Sequence, residues 1–136
     1  MPLLLVDDNE DAHFFLRRTL ARAGIEDQLD VVSSGESAIA YFNQCAGGER
    51  PWPAMVFLDI KMPGLTGFDV LAWLREQGYL GRLVVAMMST SDAPTDVGRA
   101  YSLGAHTYLN KEVKEDVLGP LVRSAIQIAS RREFAP

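Results

Sequence analysis

The sequence predicts an α/β domain, a doubly wound five-stranded parallel sheet with five helices. Two observations carry that expectation. Short apolar runs closed by turn residues alternate with amphipathic stretches in the order βαβαβαβαβα, and such alternation builds a parallel sheet covered by helices on both faces. The runs are also apolar almost throughout, as in Leu3-Leu4-Leu5-Val6 and Met55-Val56-Phe57-Leu58, which is how strands buried on both sides read.

In order, Leu3–Val6 is the first strand and ends at Asp7-Asp8. Asn9, Glu10 and Asp11 open a helix with Phe14, Phe15, Leu16, Thr19, Leu20 and Ala23 as its apolar set, and Gly24 stops it. Leu29–Val32 is a second strand, and Ser33 with Glu36 forms a capping box for a helix whose stripe is Ala38, Ile39 and Phe42. Gln44–Ala54 reads as a loop, in which Trp52 between two prolines pins the chain.

Met55–Asp59 is the central strand and delivers a carboxylate to its end. Met62-Pro63-Gly64 breaks the chain, and Thr66 opens a helix to about Gln77. Leu83–Met88 is the fourth strand, followed by Ser89-Thr90-Ser91. Pro94 starts a helix that ends at Leu103-Gly104, with Gly98 inside it as a loosening residue. His106–Leu109 is the fifth strand, with Asn110-Lys111 at its end. In the last helix Pro120 is either the first helical residue or a kink, and the tail from Arg131 is expected to fray.

The 136 residues fit one domain, 1–136. A formal net charge of −5 argues against a nucleic-acid partner, whose phosphates need a basic face. No apolar run approaches membrane-span length and no signal-peptide pattern opens the chain. The single cysteine, Cys45, suits a reducing cytoplasm, and with no basic neighbour in sequence it reads as inert. His13 and His106 lack metal-ligand company and are read as ordinary surface or boundary residues. Trp73 is open between core and contact surface.

In open α/β sheets, ligands bind outside the carboxyl ends of the strands. Asp7-Asp8, Asp59, Ser89 and Lys111 all fall there. Carboxylates crowded in one place repel each other, and a cation relieves that repulsion. Mg²⁺ suits the set because it takes oxygen ligands and bridges carboxylates to phosphate. With a lysine alongside, the arrangement suits phosphoryl transfer to a carboxylate nucleophile.

Leu5-Val6-Asp7-Asp8, Leu58-Asp59-Ile60-Lys61-Met62-Pro63-Gly64, Ser89 and Tyr108-Leu109-Asn110-Lys111 together resemble the receiver domain of two-component response regulators. The resemblance implies the flavodoxin-like strand order 2-1-3-4-5. It implies that Asp59 accepts a phosphoryl group from a sensor histidine kinase or a histidine phosphotransfer protein. Asp8, Asp59 and the backbone carbonyl of Lys61 would hold Mg²⁺, with Asp7 acting mainly through a metal-bound water. Lys111 would pair with a phosphoryl oxygen, Ser89 would bond the phosphoryl group, and Tyr108 would move inward, switching a protein-interaction surface. The long connector before the third strand is similar to that of stand-alone regulators paired with phytochrome-type kinases. The reading is of a phosphoacceptor that assists its own phosphorylation and dephosphorylation rather than an enzyme on outside substrates. The downstream partner is left open, and apolar residues on the last two helices are compatible with a homodimer.

One position departs from the family pattern, which places proline after the lysine. Here Glu112 follows Lys111, so that bond is either trans or a costly cis peptide. The departure motivates a rival reading, a receiver-like interaction module that works without phosphorylation. A dehalogenase-like phosphatase would want an acid two residues after Asp59, where Lys61 stands. The residues at the Lys61 and Ser91 positions influence water access to an aspartyl phosphate in this family, and neither offers a carboxylate or amide here. Slow self-dephosphorylation is therefore expected.

Overall fold

The computed structural model describes residues 1–133. Five parallel strands, β1 (Leu3–Val6), β2 (Leu29–Val32), β3 (Met55–Asp59), β4 (Val84–Ser89) and β5 (Thr107–Asn110), lie in the order β2-β1-β3-β4-β5. Helices α1 (Glu10–Arg22), α2 (Gly35–Ala46), α3 (Gly67–Glu76), α4 (Pro94–Ser102) and α5 (Glu115–Glu133) follow the strands in turn. This is the doubly wound arrangement that the alternation predicts, in the flavodoxin-like strand order that the resemblance implies.

The alternation of side chains along each strand divides the core in two. Leu4, Val6, Val56 and Leu58 face α2, α3 and α4, where Phe42, Leu71, Leu74 and Ala100 meet them. Leu3, Leu5, Met55 and Phe57 face α1 and α5, against Leu16, Leu20, Leu118 and Val122. All five residues of β3 are buried, because a central parallel strand is covered on both sides. Truncating such a residue, Leu58→Ala for example, costs about 2–5 kcal/mol.

Several boundaries differ from expectation. The N-cap of α2 is Ser34, whose side chain accepts from Ser37 N at 3.0 Å, so the capping box of Ser33 and Glu36 does not form. The helix starts at Gly35, where a Cβ would stand 2.6 Å from that of Leu65, so the first turn packs too closely on the loop after β3 for any side chain. α2 also runs on to Ala46 rather than yielding to a loop at Gln44. Buried Cys45 continues the stripe of Ala38, Tyr41 and Phe42, with Tyr41 rather than Ile39 facing in. Phe14, expected on the apolar side of α1, is 67% exposed.

Each of β4 and β5 is shifted by one residue, to Val84–Ser89 and Thr107–Asn110. A single 3-10 turn, Leu80–Arg82, precedes β4. α5 begins at Glu115, so Pro120 lies inside it. The carbonyl that loses its partner belongs to Asp116, which is exposed to water along with Pro120. The helix continues to Glu133, past the expected start of fraying, and residues 134–136 lie outside the described part. Trp52 stacks on Phe42 at 6.4 Å and Trp73 does the same at 6.4 Å, with the Tyr79 ring edge-on to both indoles. Trp52 therefore fastens the connector before β3, and Trp73 belongs to the same aromatic cluster.

Candidate functional site

The chain reverses direction of winding between β1 and β3, which are neighbours although β2 lies between them in sequence. A crevice opens at that point beyond the strand ends. Register decides what lines it. Val6 pairs with Leu58, so the next residues, Asp7 and Asp59, emerge side by side. On the other flank Asp59 pairs with Met88 and Ser89 with Asn110. Ser89 and Lys111 therefore leave the sheet along the same rim.

The carboxylates of Asp7, Asp8 and Asp59 each present an oxygen within 4.8 Å of the others, with Asp7 and Asp59 buried and Asp8 exposed. Lys111 Nζ lies 2.9 Å from Asp7 Oδ2 and 3.2 Å from Asp59 Oδ1. Backbone donors complete the shell, with Asn9 N on Asp7 Oδ1 at 3.0 Å and Lys61 N on Asp59 Oδ1 at 3.2 Å. The Lys61 side chain is exposed.

Burial pushes the Asp59 carboxyl up to about 6, the charge of Asp7 adds to that, and Lys111 pulls the other way. For Lys111, burial disfavours the ammonium, but its bond to Asp7 and the charges of Asp59 and Asp7 outweigh this and hold its pKa above the usual range. One lysine thus leaves the three acids undercompensated. All three donors are hard oxygens, one of them open to solvent. That set fits a hard divalent cation of the Mg²⁺ kind, which keeps some of its waters.

Beyond the acids, the Ser89 hydroxyl accepts from Ser91 N at 3.0 Å, and Tyr108 Oη donates to the Ser91 carbonyl at 2.6 Å. Tyr108 is half-buried against the core. The peptide after Lys111 is trans, since no described bond is cis. Lys111 reaches both carboxylates all the same, helped by its own N–H on Ser89 O at 3.0 Å.

The structure brings Asp7, Asp8, Asp59 and Lys111 into one cluster and sets Ser89, Ser91 and Tyr108 beside it. Sequence reasoning missed His13, whose Nε2 lies 2.6 Å from the Asp7 carbonyl oxygen. A carbonyl only accepts, so Nε2 carries the proton. The signal was available: His13 sits four residues after the N-cap Asn9, and helical side chains lean toward the N-terminus.

A five-stranded sheet of this order with three acids and a lysine at its switch point defines the class, a receiver-type signalling domain. The response regulator receiver domain model matches residues 3–123, and the chain belongs to that family. It is 32% identical over 109 residues to the probable methanogenesis regulatory protein FilR2 of Methanothrix harundinacea, covering 80% of this chain and 70% of that one. Among solved structures it is similar to response regulator RPA3017 in red light signaling of R. palustris, with a TM-score of 0.74, 34% identity, and 91% and 90% of the two chains covered. It is likewise similar to the phosphorylated cyanobacterial phytochrome response regulator RcpA, with a TM-score of 0.74, 27% identity, and 90% and 89% covered. The chain is thus a response regulator receiver domain of two-component signalling.

Proposed function

We propose that this chain acts as a response regulator receiver domain that accepts a phosphoryl group on Asp59 and passes the signal on through protein contacts. The observation that carries the reading is the position of Asp59. Asp59 is 2% exposed, shares a crevice with Asp7 and Asp8, and has the Lys111 ammonium 3.2 Å from its carboxylate.

A carboxylate oxygen of Asp59 attacks the phosphorus of a phosphohistidine on a sensor histidine kinase or a histidine phosphotransfer protein. The new P–O bond forms as the P–N bond breaks, and the departing nitrogen keeps the electron pair of that bond, leaving a neutral imidazole whose other ring nitrogen already carries the proton. Lys111 offsets charge on a phosphoryl oxygen, which is where positioned charge accelerates such transfers most. Asp8, Asp59 and the Lys61 carbonyl would hold Mg²⁺, with Asp7 acting through a bound water. When bound, the ion supplies the further positive charge that the acids and the incoming phosphoryl oxygens need.

Ser89 exchanges its bond to Ser91 N for one to the phosphoryl group, and Tyr108 follows inward, which changes the surface around α4, β5 and α5. The domain acts on itself rather than on outside substrates and works in the cytoplasm. The likeness to a red-light regulator and to a phytochrome regulator supports a phytochrome-type kinase as its donor. Exposed Tyr101, Val117 and Ile128 support a homodimer as one use of the switched surface. The phosphorylation-independent module rested on Glu112, but Lys111 reaches Asp59 despite it, and that removes its geometric ground.

The test is acetyl phosphate with Mg²⁺, followed by borohydride trapping and peptide mapping. The expected modification is at Asp59 alone. Modification at Asp7 or Asp8 instead would reassign the acceptor.

A further inference from the structure

α4 is the least anchored helix among those described in full. Its one buried residue is Ala100, its N-cap Ala93 makes no side-chain bond, and Gly98 weakens its interior. Two arginines compensate. Arg75 of α3 donates from Nη1 to the Ser102 carbonyl at the C-terminal end of α4, 3.0 Å away. In the opposite sense, Arg99 of α4 lays its guanidinium 4.4 Å from the centroid of the Phe68 ring in the first turn of α3.

The Phe68 end of this contact adjoins the reacting strand. Gly67, its neighbour, is pressed so closely on β3 that a Cβ there would lie 2.1 Å from the Asp59 carbonyl oxygen, and its N–H bonds the Ile60 carbonyl at 3.1 Å. Backbone in such contact has no slack. A shift of the Asp59 peptide must displace the start of α3, and with it the Phe68 ring.

We infer that the Phe68–Arg99 contact is a second coupling between Asp59 and α4, separate from Ser89 and Tyr108, with Arg99 as a positioning residue for α4. Tyr108 engages the loop before α4 through Ser91, whereas Arg99 lies within the helix and engages α3. The two contacts therefore grip different parts of the same element. Arg99 is exposed, so replacing it does not threaten the core.

The inference deepens the phosphoacceptor reading and rests on it, so the experiment separates the two. Hydrogen exchange read by mass spectrometry is compared for wild type, Arg99→Leu and Arg99→Lys, each with and without acetyl phosphate and Mg²⁺. Without the donor, Arg99→Leu raises exchange of α4 amides by roughly 2- to 5-fold, the factor expected for one exposed cation–π contact, while Arg99→Lys stays near wild type. With the donor, wild type shows a changed α4 exchange that Arg99→Leu largely lacks and Arg99→Lys retains, at equal phosphoryl occupancy by intact mass. Wild-type α4 exchange in Arg99→Leu in both states overturns the coupling. A wild type that takes up no phosphoryl group overturns the acceptor reading instead, and the comparison without the donor still decides whether Arg99 holds α4.

Discussion

Lys111 Nζ stands 3.2 Å from Asp59 Oδ1 although a trans peptide and a glutamate follow the lysine. Its aim comes from its neighbours: the backbone N–H of Lys111 is tied to Ser89 O, and Asp7 holds the ammonium from the other side at 2.9 Å. Lys111→Met keeps the length and removes the charge. Phosphorylation by acetyl phosphate should slow by about 100-fold, in line with loss of a positioned donor at a developing charge. Initial rates by intact mass check this, and a rate within twofold of wild type would contradict it.

The raised pKa of Asp59 makes a stability prediction. The unfolded carboxyl titrates near its ordinary value and the folded one at about 6, so between these the folded state holds more protons. Stability therefore falls as the pH rises through that window, and above it the full penalty stands. Asp59→Asn removes the penalty. In EDTA at pH 7.5 its Tm should exceed that of wild type by about 2–6 °C, and the gain should vanish below pH 4. Mg²⁺ should narrow the difference at pH 7.5 by stabilising wild type, since ligand binding to the folded state raises Tm. A thermal scan showing no gain in EDTA would contradict the account.

Much of this site was legible in the sequence because its residues sit at fixed offsets from strands that announce themselves. Asp7 and Asp59 each terminate a buried apolar run, and parallel register does the rest. Less legible was whatever depends on packing across elements. Ser34 rather than Ser33 caps α2 because Gly35 must pass under Leu65, a contact between segments distant in sequence. α2 outlasts its expected end because Cys45 is buried like a small apolar side chain. Pro120 reads as the first helical residue or a kink, yet α5 begins at Glu115 and runs through it, at a turn where Asp116 and Pro120 are both exposed. His13 reads as an ordinary boundary residue for want of metal-ligand company, although its place four residues after the N-cap Asn9 aims it back at the end of β1, where it meets the Asp7 carbonyl.

Lys61 directs its side chain to solvent while its N–H holds Asp59 Oδ1, so exchanging the side chain leaves that bond in place. Lys61→Asn supplies an amide able to orient water beside the acyl phosphate. Loss of the phosphoryl group after donor removal should quicken several-fold over a slow wild type, as followed by intact mass. An unchanged half-life would contradict the expected role of this position.

Gly98 offers a test of the looseness of α4. A Cβ there meets nothing within 4 Å, and its φ is not in the left-handed region. Gly98→Ala should stabilise the fold by about 0.5–1 kcal/mol through helix propensity. Urea unfolding measures it, with a raised midpoint and unchanged slope expected. A loss of stability would mean that α4 is strained there.

The central claim, a Mg²⁺-dependent phosphoacceptor at Asp59, is tested most directly by intact mass after incubation with acetyl phosphate. Wild type and Asp59→Asn are compared, each with Mg²⁺ and with EDTA. The account predicts a mass gain of one phosphoryl group in wild type with Mg²⁺ and none in the other three samples. An equal gain in Asp59→Asn, or no gain in wild type under any condition, would contradict it.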